Sequence, residues 1–234
     1  DNFDGLSLSN VTGLFTGVGV TTAIPGSTFD GARVSGTGSS MNYTVSNGGA
    51  NSGAIYGFAD SGSSELALGA IASGSNIAGF GVQIVNNSGA ALQSMTISFT
   101  QENWRSSTST LNTFVAAWGR SSTGASSSNY LVDTNLTAVT ALDLVGPAPV
   151  ASNGALLGND PSNQIARTTT FTFSTPMAVG ETLFIRWQDF NDVGNDAGLA
   201  IDNFSVTGQP VPEPATLAAV GLGIAAMLRR RKGN

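Results

Sequence analysis

A chain of 234 residues that is 41 % hydrophobic and only 10 % charged can bury one sizeable core, but its surface must be made of Ser, Thr, Asn and Gly. The net charge of −6 hides an asymmetry, because Arg229, Arg230, Arg231 and Lys232 supply four of the nine basic residues. Before Pro212 five arginines face fourteen acids, a net −9, so nothing there neutralises phosphates and nucleic acid is excluded as a partner. A first residue Asp1 in place of Met fits either an expression fragment or a mature chain freed of a secretory signal.

In chain order, residues 1–208 read as short strands separated by Gly, Asn and Ser turns. Candidate strands are Phe3 to Leu8, Leu14 to Thr22, Ala54 to Ala59, Leu66 to Ala72, Gly79 to Val85, Thr113 to Trp118 and Leu199 to Val206. Period-two alternation is clearest in Met95-Ile97-Phe99, Phe171-Phe173 and Leu183-Ile185-Trp187, each set with polar residues between, so these strands have one buried face. Ser106 to Thr110 and Ser121 to Ser128 are polar loops, and an irregular stretch runs from Gly146 to Pro161. No helix is expected before the tail. The expected fold is all-β, an antiparallel β-sandwich of jelly-roll type with about ten or more strands, followed by a short apolar C-terminal helix.

The chemistry open to the chain is narrow. It has no His and no Cys, which removes Ser-His-Asp and Cys-His triads, imidazole zinc sites and cysteine nucleophiles; Lys232, the sole lysine, lies in the tail, which removes a Ser-Lys dyad. Paired carboxylates remain, and Glu102 with Asp189 is the imaginable glycosidase pair, although no sequence feature fixes their separation. Four acids, Asp189, Asp192, Asp196 and Asp202, fall within fourteen residues, in a Gly-kinked, oxygen-rich segment. Such a segment suits calcium, which takes six to eight oxygens, or equally an Asx-rich turn whose carboxylates cap backbone N–H groups. Asp202 stands apart because it lies within the last strand, where a charge is costly unless paired or coordinated. It resembles the Asp that many carbohydrate-binding jelly rolls place beside a structural calcium, and by that resemblance Asp1 and Asp4 would complete the site. Glu102, Trp104 and Arg105 form another cluster, which either offers an exposed Trp for stacking on a sugar ring or is a core Trp with Arg lying over it.

From Val211 the composition changes: Pro212-Glu213-Pro214, then Ala215 to Leu228 without a charge, then the basic run. The prolines end the folded domain and permit a helix after them. Fourteen apolar residues give a helix of about 21 Å, short of the ~30 Å hydrocarbon core, yet snorkelling Arg229 and Arg230 make a marginal span, with the basic end in the cytoplasm. Three segments follow: a domain over 1–208, a Pro-rich linker over 209–214 and a membrane or sorting helix over 215–234. The order of Pro212, Glu213 and Pro214, the apolar helix, and Arg229, Arg230 and Arg231 resembles the PEP-CTERM sorting signal. That resemblance implies an exosortase-type membrane protease as partner, transient residence in the inner membrane through the tail, and release to the cell surface or exopolysaccharide matrix of a Gram-negative-type bacterium. Residues from about 50 to 207, with Glu102-Asn103-Trp104-Arg105 and Gly198 through Asp202-Asn203-Phe204, look like a sandwich domain recurring in such exported proteins; where relatives show Asp-His-Gly this chain has Asp196-Ala197-Gly198. The expected function is a non-enzymatic structural protein that assembles with itself, with an exopolysaccharide-binding module as rival.

Overall fold

The computed structural model describes residues 1–108, 110–121 and 129–212. The helix expected over 215–234, together with Glu213, Pro214 and the Arg229–Arg231 run, lies outside them. The described chain forms fourteen strands and three short 3-10 turns: β1 (Val11–Phe15), β2 (Thr22–Ala23), β3 (Asp30–Ser35), β4 (Met41–Ser46), β5 (Ala54–Phe58), β6 (Ala67–Ile71), β7 (Ile77–Val85), β8 (Leu92–Arg105), β9 (Thr113–Ser121), β10 (Thr137–Ala138), β11 (Leu144–Val145), β12 (Gln164–Met177), β13 (Thr182–Gln188) and β14 (Gly198–Pro210). They make two sheets. The first runs β1-β4-β5-β6-β14-β8-β12, and the second β10-β9-β13-β7-β3-β2, with β11 also on β9. The fold is therefore all-β and dominated by antiparallel pairs; β4 and β5 pair in parallel, which an all-antiparallel expectation missed.

Period-two patterning decides which side chains meet between the sheets. Met95, Ile97 and Phe99 of β8, Phe171 and Phe173 of β12, and Leu183, Ile185 and Trp187 of β13 all join one large core. Its centre is Trp187, whose ring lies 5.4 Å from Phe99, 5.7 Å from Phe80, 6.3 Å from Phe29 and 6.4 Å from Phe204. Rings from both sheets thus lock onto a single residue.

Several local expectations change. Phe3 to Leu8 is not a strand: Phe3 has φ 57° and Leu6 N–H donates to the Phe3 carbonyl at 2.8 Å, closing a turn. Leu14 to Thr22 is split, because β1 ends at Phe15 and Gly19 turns the chain with φ 73°. β3 and β4 are additional strands, and β4 shows its own alternation, with Met41 and Tyr43 buried. At the other end β14 continues through Gln209 and Pro210, paired with Ser94 and Leu92, two residues past the expected boundary at 208.

Candidate functional site: a carboxylate cluster on the outer face of the first sheet

The first sheet is covered on its outer face as well, at one end. Ala54, Tyr56, Phe58, Ala67, Ile71, Trp104 and Ala200 form a second, smaller core there. Phe58 stacks between Tyr56 at 5.0 Å and Trp104 at 5.7 Å. The irregular segment before β12 closes over it: Leu156 N–H donates to the Trp104 carbonyl at 2.8 Å, and a Cβ at Gly158 would sit 2.1 Å from the Trp104 ring. Only glycine lets that backbone lie flat on the indole. Trp104 is 0 % exposed, and Arg105 donates to the carbonyls of Gly48 at 2.9 Å and Gly49 at 3.3 Å. The sugar-stacking reading of Glu102, Trp104 and Arg105 is therefore corrected and the alternative, a core Trp, holds: Trp104 is buried because β8 turns that face under the covering loop.

Glu102 shares this face and is equally buried. Its Oε2 accepts from Trp104 Nε1 at 2.9 Å and its Oε1 from Gln164 Nε2 at 2.9 Å, so one neighbour strand and its own indole hold the carboxylate in place. Oxygens of Glu65, Glu102 and Asp202 lie within 4.8 Å of one another. Asp202 reaches this point because β14 bulges after it: Asp202 stands opposite Thr100 and Ser205 opposite Ser98, with Asn203 at φ 53° taking up the extra residue. Its Oδ2 accepts from Asn203 Nδ2 at 2.6 Å, while its Oδ1 is buried with no hydrogen-bond partner. Glu65 enters from the turn before β6 and accepts from Asn159 Nδ2, which also reaches Asp60 Oδ2 at 3.3 Å. Asp4 approaches from the N-terminal segment, its Oδ1 accepting from Leu66 N–H at 3.3 Å.

Burial and like charge act together on this group. Burial, then the charges of Glu65 and Asp202, push the Glu102 carboxyl up to about 8. Asp202 is pushed up to about 6 by burial and by Glu65 and Asp4, and Glu65 is raised by burial and by Asp4 and Asp60. The ion pair of the second sheet, Arg120 with Glu181 at 2.5 Å, is remote from them.

The acids expected to gather around one cation do not. Asp1 is used locally, its Oδ1 accepting from Phe3 N–H at 2.9 Å and its Oδ2 from Thr28 Oγ1 at 3.1 Å. Asp189, Asp192 and Asp196 sit before β14, several residues of strand from Asp202. There the buried amide of Asn112 donates to Asp192 Oδ2 at 2.5 Å and Asp196 Oδ1 at 3.3 Å, while Asp189 Oδ1 accepts from Phe190 N–H at 2.8 Å and Asp196 Oδ1 from Asp192 N–H at 3.2 Å, carboxylates capping backbone groups of their own turn. Of the six expected metal residues, the structure brings Asp4 near Asp202, turns the amino group of Asp1 but not its carboxylate toward them, and gathers Asp189, Asp192 and Asp196 into a separate group. Glu65 was not singled out by the sequence and Glu102 was singled out only for sugar contact or acid–base work; for Glu102 beside Asp202 a signal existed, since a carboxylate inside a long strand meets the same argument applied to Asp202.

Asp189 is fully buried, and that burial followed by the charge of Asp196 holds its carboxyl well above the usual range; Asp196 is pushed to about 6, by burial first and then by Asp192. Raised carboxyls cost stability when ionised, so their destabilisation is absent below about pH 4 and grows as pH rises, Asp196's share being complete above about pH 6. That share is on the order of 1–2 kcal/mol once its partial contact with water is allowed for. We expect Asp196→Asn to raise Tm at pH 7.5 by about 3–6 °C and to flatten the fall in Tm between about pH 4 and 6. Thermal unfolding followed by circular dichroism in EDTA measures both; equal pH slopes for the two proteins would refute it.

Comparison with known proteins adds little to the domain and much to the tail. No curated protein matches the chain. A bacteriophage CBA120 tailspike protein 4 enzymatically active domain is 14 % identical over 62 % of this chain, which spans 16 % of that one, at a TM-score of 0.32. A family 16 carbohydrate binding module is 16 % identical over 61 % of this chain and 77 % of that one, at 0.28. Residues 210–232 match the PEP-CTERM protein-sorting motif, so the chain carries the signal of an exported, cell-surface or extracellular protein that an exosortase, a membrane protein, recognises.

Proposed function

We propose that the protein is a non-enzymatic structural component of the cell surface or extracellular matrix, and that it associates with copies of itself along β12. The observation that carries this reading is the open edge of the first sheet. β12 is fourteen residues long and, among the described residues, bonds only β8 within that sheet. An edge strand of that length offers unpaired backbone groups to another strand. From Thr168 to Ser174 its outward side chains are hydroxyls, with Thr170 bonded to Thr96 at 2.8 Å and Thr168 to Ser98 at 2.9 Å; an irregularity between Thr172 and Met177 and the bonds from Arg120 to the Thr175 and Pro176 carbonyls confine the open stretch to the part before it. An exopolysaccharide-binding module would instead need an exposed aromatic platform. Trp104 and Trp187 are fully buried, Trp118 is half-buried against Phe171, Phe190 is exposed but makes no ring pair among the described residues, and no aromatic residue lines the depression formed by Leu8, Val45, Asn47, Asp60 and their neighbours.

Sedimentation of the purified chain over a range of concentrations tests the proposal. We expect a reversible shift to larger species, and Thr170→Lys with Thr172→Lys to weaken it roughly tenfold by placing charges at the edge. A strictly monomeric protein that is pulled down by the producer's polysaccharide would overturn this reading in favour of the binding module.

A further inference from the structure

We propose that Glu65, Glu102 and Asp202 bind one divalent cation of the hard type, with calcium as the ion that fits. The inference is independent of self-association. Calcium holds its oxygens at about 2.3–2.6 Å, so ligands of one ion lie no more than about 5 Å apart. The three carboxylates meet that condition, their oxygens lying within 4.8 Å of one another. A second observation points to a ligand: Asp202 is 5 % exposed and its Oδ1 has no hydrogen-bond partner. A buried, unpartnered carboxylate oxygen costs free energy unless something positive meets it; of the described cationic groups the Asp1 amino group acts on Asp202, and it is already bonded to the Phe204 carbonyl at 2.7 Å.

The donor set selects the ion class. It contains carboxylate oxygens only, and a chain without His or Cys offers neither the imidazole nitrogen nor the thiolate sulfur that zinc sites use. Three carboxylates supply up to six oxygens, and Asp4, whose charge bears on both Glu65 and Asp202, stands next to them. Magnesium wants strict octahedral geometry at ~2.0–2.1 Å, which Glu102 opposes because Trp104 and Gln164 already fix its carboxylate. The charged groups facing the site are Asp4, Asp60 and the amino group of Asp1, which donates to the Phe204 carbonyl at 2.7 Å. Bound there, the ion would tie three chain segments together: the turn before β6, the end of β8 and the residue before the bulge of β14.

Terbium supplies a direct readout, since it takes calcium sites and its luminescence is excited through a nearby Trp, here Trp104 bonded to the ligand Glu102. In chelated protein we expect Tb3+ luminescence excited at the indole band to rise with a 1:1 endpoint and to be displaced by CaCl2, more readily than by MgCl2. Saturating CaCl2 should raise Tm by roughly 5–10 °C. Asp202→Asn and Glu65→Gln should each lose at least tenfold in affinity. Both variants should unfold in EDTA no earlier than the parent, because they remove like charge, and that result separates lost binding from lost fold. No luminescence and an unchanged Tm up to 10 mM CaCl2 would overturn the site, as would full binding by both variants.

Discussion

A chain ending at Val211 is expected to fold as the full-length protein does, with Tm unchanged within about 1 °C, and to be lost from the cell surface. The last backbone bond that ties the described chain to the sandwich is Val211 N–H to the Ala91 carbonyl at 2.9 Å, one residue past the end of β14. Removing residues 212–234 therefore breaks no described hydrogen bond of the domain. What it removes is nearly all of the PEP-CTERM motif at 210–232, the signal that the exosortase, a membrane protein, recognises. The effect on location should be close to complete, because without a membrane-retained intermediate nothing holds the chain until it is processed. Fractionation of cells expressing both forms, beside thermal unfolding of the purified proteins, measures it. A fall in Tm of more than about 5 °C would mean that the tail packs on the core, and surface retention without it would remove the motif from the sorting step.

Trp187→Ala should be the most damaging single substitution in the sandwich. Trp187 touches Phe29, Phe80, Phe99 and Phe204, which come from both sheets, and its Nε1 donates to the buried carbonyl of Leu142 at 2.9 Å. Truncating such a side chain leaves a cavity that the surrounding strands cannot close, at a cost of about 3–5 kcal/mol, and the Leu142 carbonyl left without a donor adds about 1 kcal/mol. Set against a total stability of ~5–15 kcal/mol, that lowers Tm by roughly 10–20 °C. Trp118 makes the useful comparison. It is half-buried on β9 and packs on Phe171 at 4.8 Å near the sheet margin, so Trp118→Ala should cost less than half as much. Equal losses for the two would contradict a core centred on Trp187.

Local chemistry in the sequence determined the strand faces, the tail and the menu of reactions. Whether Phe99 or Ile185 points inward follows from a two-residue period that each strand carries in itself, and the Pro-Glu-Pro, apolar and basic blocks are legible because their order is linear. The lack of His and Cys excludes chemistries wherever the chain goes. Partners across strands follow from no such rule. Glu65, Glu102 and Asp202 are distant in sequence and meet only because β14 inserts between β6 and β8 and then bulges at Asn203. The same strand order leaves Asp189, Asp192 and Asp196 before the start of β14, so closeness in sequence did not become one site. Trp104 shows the other side of that reason. Alternation says that it shares a face with Glu102, but whether the face meets water was decided by where the segment around Gly158 lay down, a contact between residues more than fifty positions apart whose energy exists only once both are folded.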